Sequence, residues 1–146
     1  MGSAAEADRA IAQARRILER DDNAADQEWS AFLSSVEVDG IEATCAIELG
    51  RPAQAERLFE RTIASYSSQF ARNLALYRVR LARARLDRGA VDGAAEAAHS
   101  ALDDLTGGVA SWRVATELEA VVTRLTAYPH VDGVERFLAR YQAANQ

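Results

Sequence analysis

Apolar residues recur every three to four positions along most of this chain, which is the spacing of one face of an α-helix. The clearest example is residues 70–88, where one apolar stripe runs through Leu74 and Leu81 and a second runs through Val79 and Leu86. A helix that is apolar on two sides must be covered on both. We therefore predict that this helix lies between neighbouring helices.

Turn-forming residues divide this pattern into about seven helices joined by short turns, with no strand of convincing length. Ser34 and Glu37 have the spacing of a capping box, which predicts that a helix starts there and ends at Gly50. Pro52 then fits the first turn of the next helix. The other predicted helices cover residues 4–20, 70–88, 91–105, 111–127 and a last segment that contains residues 134–141.

The segment before the capping box has a separate organisation. Residues 24–34 lack a regular helical pattern, so we interpret them as a connector that carries Trp29. We expect residues 1–34 to form an N-terminal helix and connector that cap the fold, and residues 35–146 to form one continuous helical domain.

The composition agrees with an all-α fold and limits the classes of function. Alanine supplies 31 of the 146 residues and proline only two, a balance that favours helix. A single cysteine, Cys45, excludes a disulfide scaffold and a cysteine-based zinc site. No apolar run is long enough to span a membrane and no export leader is visible, so we expect a cytoplasmic protein. A net charge of −5 gives direct nucleic-acid binding no electrostatic support.

An internal repeat of 39 residues underlies the helical pattern, because turns fall at Gly50, Gly89 and Tyr128. Small residues stand five positions after each turn, and bulkier residues recur further along. In a stack of two-helix units, each unit buries its apolar face only against the next, and small residues let the helices approach closely. The aligned sets are Ala55, Ala94 and Gly133; Phe59, Ala98 and Phe137; and Ile63, Leu102 and Tyr141.

Over residues 35–143 the chain resembles the tetratricopeptide-repeat family, whose second helix carries Ala-x-x-x-Phe and whose first helix carries a Leu-small pair. The matching positions are Ala55 and Phe59, a weaker copy at Gly133 and Phe137, and the pair Leu81-Ala82. Glu42-Ala43 replaces the Leu-Gly pair of the first repeat, and the period exceeds the family's usual length of about 34 residues. The resemblance implies a right-handed stack of antiparallel helices with a concave groove for a peptide.

A narrower resemblance is to the C-terminal modules of actinobacterial helix-turn-helix transcriptional regulators. It rests on Gly-Arg-Pro-Ala-x-Ala-Glu at residues 50–56, on Leu76-Tyr77, and on His-Val-Asp-Gly-Val-x-x-Phe-Leu at residues 130–138. The use of arginine for all 17 positive residues is consistent with a GC-rich genome. This resemblance implies the sensor or dimerisation part of a transcription-regulatory system, with the DNA-reading part elsewhere.

The arginine-rich helix is the main candidate site. Arg72, Leu76, Val79, Arg83 and Leu86 share one strip, which in a tetratricopeptide-like stack would face the concave groove together with Leu118 and Val122. Guanidinium groups beside apolar side chains suit a peptide or an acidic ligand. The alternative is a solvated face that pairs with Glu56, Glu60 and Glu96, and Arg78 and Arg85 are interpreted as structural.

Few other residues suggest chemistry. Trp112 opens a helix after the Gly107-Gly108 turn and is a candidate edge anchor for a partner, whereas Trp29 is interpreted as a core residue. His99, His130 and Cys45 lie in different helical pairs, without the spacing of a metal site, and Cys45 is interpreted as a small buried residue.

These observations favour a non-catalytic protein- or peptide-binding module without metal or cofactor. The first alternative is a helical small-molecule-binding or enzymatic domain that uses the arginine-rich helix, the histidines and Cys45. The second is a structural homodimer formed through terminal helices, because the last helix carries the apolar residues Val134, Phe137, Leu138 and Tyr141.

Overall fold

The computed structural model describes the backbone of residues 2–20, 25–66 and 70–145 and the side chains of residues 4–16, 36–66 and 70–145. These residues form seven α-helices and no strand, which confirms the all-α prediction. The helices are α1 (Gly2–Arg20), α2 (Ala25–Glu48), α3 (Pro52–Ser65), α4 (Ala71–Asp87), α5 (Val91–Thr106), α6 (Trp112–Leu125) and α7 (Asp132–Ala144).

The chain divides into two compact units, Met1–Ser65 and Tyr66–Gln146. The first unit contains α1, α2 and α3, and the second contains α4 to α7. Each unit has its own buried apolar residues, among them Phe59 in the first and Phe137 in the second.

In the first unit, α2 and α3 form a hairpin that turns at Gly50. Gly50 has a φ of 73°, a left-handed conformation that a residue without a Cβ adopts at low cost. The Gly50 N–H donates to the Ile47 carbonyl at 3.1 Å and the Arg51 N–H to the Ala46 carbonyl at 2.8 Å, which satisfies the helix end. The helix end predicted at Gly50 and the start predicted at Pro52 are confirmed.

Asp39 of α2 ties the three helices of the first unit together. Its side chain is only 11% exposed and accepts hydrogen bonds from Arg15 of α1 at 2.6 Å and from Arg61 of α3 at 2.8 and 3.0 Å. A sheltered carboxylate needs such charged donors to replace the water that it loses on folding.

The predicted connector over residues 24–34 is wrong from residue 25 onward, because α2 begins at Ala25 and runs unbroken through the proposed capping box. No proline or glycine occurs between Ala25 and Asp39, so no residue in this stretch stops a helix. Serine is tolerated inside helices, and the Ser-x-x-Glu spacing is therefore an ambiguous start signal.

In the second unit, α4 and α5 form a hairpin with the same turn chemistry. Gly89 has a φ of 83°, its N–H donates to the Leu86 carbonyl at 3.0 Å, and the Ala90 N–H donates to the Arg85 carbonyl at 2.8 Å. Both apolar stripes of α4 are buried, as Leu74, Leu81, Val79 and Leu86 show. The prediction that this helix is covered on two sides is confirmed, with α5 and α6 as its neighbours.

The last two helices, α6 and α7, pack on α4 and α5 respectively. Arg80 of α4 pairs with Glu117 of α6, and Asp87 pairs with Arg124, so the contacts advance in the same direction along both helices. On α7, Gly133 lies beside Ala95 of α5 and Phe137 lies against His99 further along. Thus α6 runs parallel to α4, and α7 runs parallel to α5.

The turn between α6 and α7 differs from the two glycine turns. Within the described chain, positive φ values occur only at Gly50, Gly89 and Gly108, so Tyr128 does not reproduce the left-handed conformation. Its N–H donates to the Leu125 carbonyl at 2.9 Å, and α7 starts only at Asp132. The third joint of the 39-residue period is therefore a longer turn of another type.

Candidate functional site

A cleft of about 140 Å³ lies between the parallel helices α4 and α6 of the second unit. Both helices contribute to its walls, and the described residues that line it combine a small apolar set with a charged set. The lining residues are Val79, Arg80 and Arg83 from α4 and Glu117, Ala120, Val121 and Arg124 from α6.

The base of the cleft is apolar. Val79 is 1% exposed and Val121 is 3% exposed, and both belong to the buried face where α4 meets α6. Ala120 stands beside them with an exposed, minimal side chain. Short side chains at these positions leave the space that a larger residue would fill, and a ligand group placed there would lose contact with water.

One wall holds a fork-to-fork ion pair between the two helices. The Arg80 Nε and Nη2 atoms donate to the two carboxylate oxygens of Glu117 at 3.0 and 3.1 Å. Arg80 is 15% exposed and Glu117 is 28% exposed, so solvent screens this pair less than a surface pair. Arg113, which is 70% exposed, places its Nε 3.7 Å from the same carboxylate.

The opposite end of the cleft carries Arg124, whose Nη1 lies 2.7 Å from the Asp87 carboxylate of α4. Arg83 lies between the two ends and is half-buried. Among the described residues that line the cleft there are three arginines and one glutamate, and Asp87 adds a negative charge beside the rim. The cleft therefore has a surplus of positive charge over an apolar base.

The strip predicted from the helical wheel is placed only partly at this cleft. Val79 and Arg83 line it. Leu86 and Leu118 are buried in the second unit and do not line this cleft. A helical wheel gives the angle of a side chain but not which neighbouring helix covers that angle.

The other predicted binding residues lie outside the lining set. Arg72 is exposed near the start of α4, Leu76 is half-buried, and Val122 is half-buried on α6. Arg80 belongs to the predicted arginine-rich helix but not to the predicted strip, and Glu117, Ala120, Val121 and Arg124 were not predicted as lining residues. The sequence holds a signal for the charged ones, because Arg80 and Asp87 are followed, at one constant offset, by the oppositely charged Glu117 and Arg124.

Two other arginines of α4, Arg78 and Arg85, contact α5. These contacts agree with the interpretation of both residues as structural. Both Asp104 carboxylate oxygens accept from Arg78 at 2.8 Å, and the Arg85 Nη1 donates to the Gly93 carbonyl at 3.0 Å. Asp104 and Glu117 are carboxylates that the sequence analysis did not single out as partners of this helix.

Trp112 is 81% exposed at the start of α6, in agreement with the predicted edge position. Ser111 caps this helix by accepting a hydrogen bond from the Val114 N–H at 3.2 Å. The side chain of Trp29, predicted to be a core residue, lies outside the described side chains.

His99 belongs to the contact between α5 and α7 and does not reach the cleft. Its ring lies edge-on to Phe137 at 5.3 Å, and Arg140 Nη1 lies 3.4 Å from its Nδ1. Burial and the positive charge of Arg140 lower the pKa of His99 below its ordinary value. His130 is exposed in the last turn, and Cys45 is half-buried in α2. Within the described part of the chain, no group of three or more His, Cys, Asp or Glu residues could hold a metal ion.

A second cleft, of about 240 Å³, lies between α5, α6 and α7. Leu118 contributes to this cleft, on the side of α6 that faces away from Val79. Its described lining contains no charged side chain, in contrast to the cleft between α4 and α6. The residues are Leu102, Leu105, Thr106, Ala115, Leu118, Tyr141, Ala144 and Asn145.

Comparison with known proteins gives no match for this chain, whether with protein-family models, with curated proteins or with solved structures. Across the described helices, none is both long enough and apolar enough to cross a membrane.

Proposed function

We propose that this chain is a non-catalytic binding module that holds an acidic peptide segment of a partner protein in the cleft between α4 and α6. The observation that carries the proposal is the combination of the Val79–Val121 base with the guanidinium groups of Arg80, Arg83 and Arg124. Guanidinium groups bind carboxylates through two parallel hydrogen bonds, and an apolar base favours a ligand that also carries an aliphatic side chain.

The arrangement of the helices supports a repeat protein as the scaffold. The pair α4–α5 and the pair α6–α7 follow each other with α6 parallel to α4 and α7 parallel to α5. A tetratricopeptide-like, right-handed stack of two-helix units is built in this way, and stacked repeats use the surfaces between successive units to bind other proteins. The resemblance to actinobacterial regulators extends the proposal to the sensor or dimerisation part of a cytoplasmic transcription-control system.

The experiment is a binding titration with a fluorescein-labelled peptide that repeats Glu-Glu-Leu, followed by fluorescence anisotropy. We expect the acidic peptide to bind and the matched Gln-Gln-Leu peptide to bind at least about tenfold more weakly, because the guanidinium groups then lose their anionic partner. Arg83→Glu should weaken binding of the acidic peptide by about tenfold or more, since the rim then repels it.

The matched control is Arg136→Glu, which makes the same charge change on an exposed position of α7 outside the cleft. It should leave the anisotropy curve unchanged, and circular dichroism should show equal helix content for both variants. Equal binding of the acidic and neutral peptides, or equal losses in the two variants, would overturn the assignment of this cleft.

A further inference from the structure

We propose that Glu117 occupies the carboxylate position of the cleft in the absence of a ligand and is exchanged for a ligand carboxylate on binding. The inference rests on the proposed function and deepens it, because it assigns to one residue the selectivity for acidic segments. Among the described residues that line the cleft, Glu117 is the one carboxylate, and it already uses the two donors of Arg80 that face it.

The geometry of Glu117 is that of a bound ligand. Its two oxygens receive the Nε and Nη2 hydrogens of Arg80 at 3.0 and 3.1 Å, the side-on arrangement that an external carboxylate would adopt on the same guanidinium. Both residues line the cleft, and 15% of the Arg80 side chain and 28% of the Glu117 side chain remain open to solvent. A ligand in the cleft therefore meets Glu117 first and reaches Arg80 as Glu117 moves aside.

A second cation gives Glu117 somewhere to go. Arg113 stands one helical turn before Glu117 on α6, and its Nε is 3.7 Å from the Glu117 Oε2 atom. When a ligand carboxylate pairs with Arg80, Glu117 moves toward Arg113, whose largely exposed side chain can follow it. Both arginines then keep an anionic partner, so the exchange leaves no sheltered charge unpaired.

This exchange determines which ligands bind. When one carboxylate replaces another on Arg80, the electrostatic energy changes little. A lone carboxylate such as acetate therefore gains almost no binding free energy. A ligand gains affinity when it also covers Val79 and Val121 with an aliphatic group and offers a second carboxylate to Arg83 or Arg124. Segments that place glutamate or aspartate next to a leucine-sized side chain meet this requirement.

The decisive variant is Glu117→Gln, measured with the labelled Glu-Glu-Leu peptide. It removes the internal competitor for the Arg80 guanidinium, so we expect the Kd to fall by about tenfold relative to the unmodified chain. Arg113→Gln removes the alternative partner of Glu117, and we expect it to raise the Kd several-fold. This second variant also tests the exchange if Glu117→Gln does not fold.

Asp104→Asn is the matched control, because it removes a carboxylate from Arg78 of the same helix at a position outside the cleft. Its Kd should equal that of the unmodified chain. If the unmodified chain binds the peptide and Glu117→Gln binds equally or more weakly, the exchange is refuted while the proposed function stands. If neither chain binds, both proposals fail; if only Glu117→Gln binds, both are supported, with Glu117 as a stronger competitor.

Discussion

The two sides of α4 meet their neighbours in different ways. Toward α5, Arg78 and Arg85 tie α4 to Asp104 and to the Gly93 carbonyl. Five of the six buried residues of α5 between these ties are alanines, such as Ala97 and Ala101. Toward α6, the charged pairs stand at the two ends of a cleft whose base is formed by valines. Alanine lets two helices approach closely, whereas on the α6 side the valines and Ala120 do not fill the space between the helices.

The arginines of α4 contact two different neighbours in ion pairs of similar burial. The Arg78–Asp104 pair has side-chain exposures of 29% and 18%, close to the 15% and 28% of the Arg80–Glu117 pair. Burial alone therefore does not distinguish a pair between two closely packed helices from a pair that lines the cleft. What distinguishes them is that Arg80 and Glu117 line the cleft between α4 and α6, whereas Arg78 and Asp104 are not among the residues that line it.

The largest effect should come from enlarging a residue on the closed side. Ala97 lies on the same face of α5 as Gly93 and Asp104 and is buried. We expect Ala97→Leu to lower the free energy of unfolding by about 1–3 kcal/mol, because the added side chain must push α4 and α5 apart. Urea denaturation followed by circular dichroism measures this change.

Ala120→Leu is the matched variant on the open side, since Ala120 is exposed and lines the cleft. It should change the free energy of unfolding by less than about 0.5 kcal/mol, yet reduce binding of the Glu-Glu-Leu peptide by filling the space. Similar stability losses for the two variants would show that both sides of α4 are equally closed.

A second test compares the two ion pairs by double-mutant cycles. We expect Arg78 with Asp104 and Arg80 with Glu117 to show similar coupling energies of about 1 kcal/mol in unfolding experiments, because their burial is similar. Single replacements by Gln or Asn leave one sheltered charge without its partner, so the cycle and not the single variant gives the coupling. A coupling near zero for either pair would mean that the pair lies effectively at the surface.

Much of the fold could be predicted because local chemistry determines it. A helix that turns back within two residues needs a left-handed residue, so Gly50 and Gly89 indicate their turns without knowledge of the rest of the chain. Tyr128 was predicted to be equivalent from the spacing alone, and it differs because spacing carries no information on backbone conformation. Ser34 failed as a start signal because a capping sequence is also compatible with a helix interior.

The candidate site was less predictable because it depends on which helices become neighbours. Leu86 and Arg83 are adjacent on the helical wheel, yet one is buried and the other lines the cleft. Arg80 is not part of the strip that the helical wheel predicts. Its partner Glu117 lies 37 residues further along the chain. Only the parallel packing of α6 on α4 brings these two residues together, and a periodicity analysis of each helix by itself does not reveal it.

His99 lies where α5 contacts α7, and a pH titration of stability tests its protonation. Burial and Arg140, with a smaller contribution from Arg136, lower the pKa of His99, whereas Asp103 and a hydrogen bond to Gly133 oppose them. Because the folded pKa lies below the unfolded value of about 6.5, the neutral ring is favoured in the folded state. The stabilising contribution is present above pH 6.5 and is lost as the pH falls through the lower folded value.

We therefore expect the melting temperature to decrease on acidification from pH 7 toward pH 5. The corresponding loss in the free energy of unfolding should be smaller than the losses expected for Ala97→Leu and for the ion-pair variants. His99→Gln should remove part of this slope, because glutamine keeps a polar side chain but does not gain a proton. His130→Gln is the matched control, since His130 is exposed in a turn. An unchanged slope in His99→Gln would assign the pH dependence to the carboxylates of the chain.

The smallest effect concerns two glycines in the first turns of α5 and α7. A Cβ added at Gly133 would lie 3.6 Å from the Ala95 Cβ, an ordinary contact, whereas one added at Gly93 would lie 3.2 Å from the Cδ of Arg85. Arg85 donates to the carbonyl of Gly93 itself, so it cannot move away without weakening that tie between α4 and α5. We expect Gly133→Ala to raise the free energy of unfolding by about 0.5 kcal/mol, because alanine has the higher helix propensity and the lower entropy when unfolded. Gly93→Ala should give no gain in the same urea denaturation, and an equal gain would show that the side of α4 facing α5 is less tightly packed than its alanines imply.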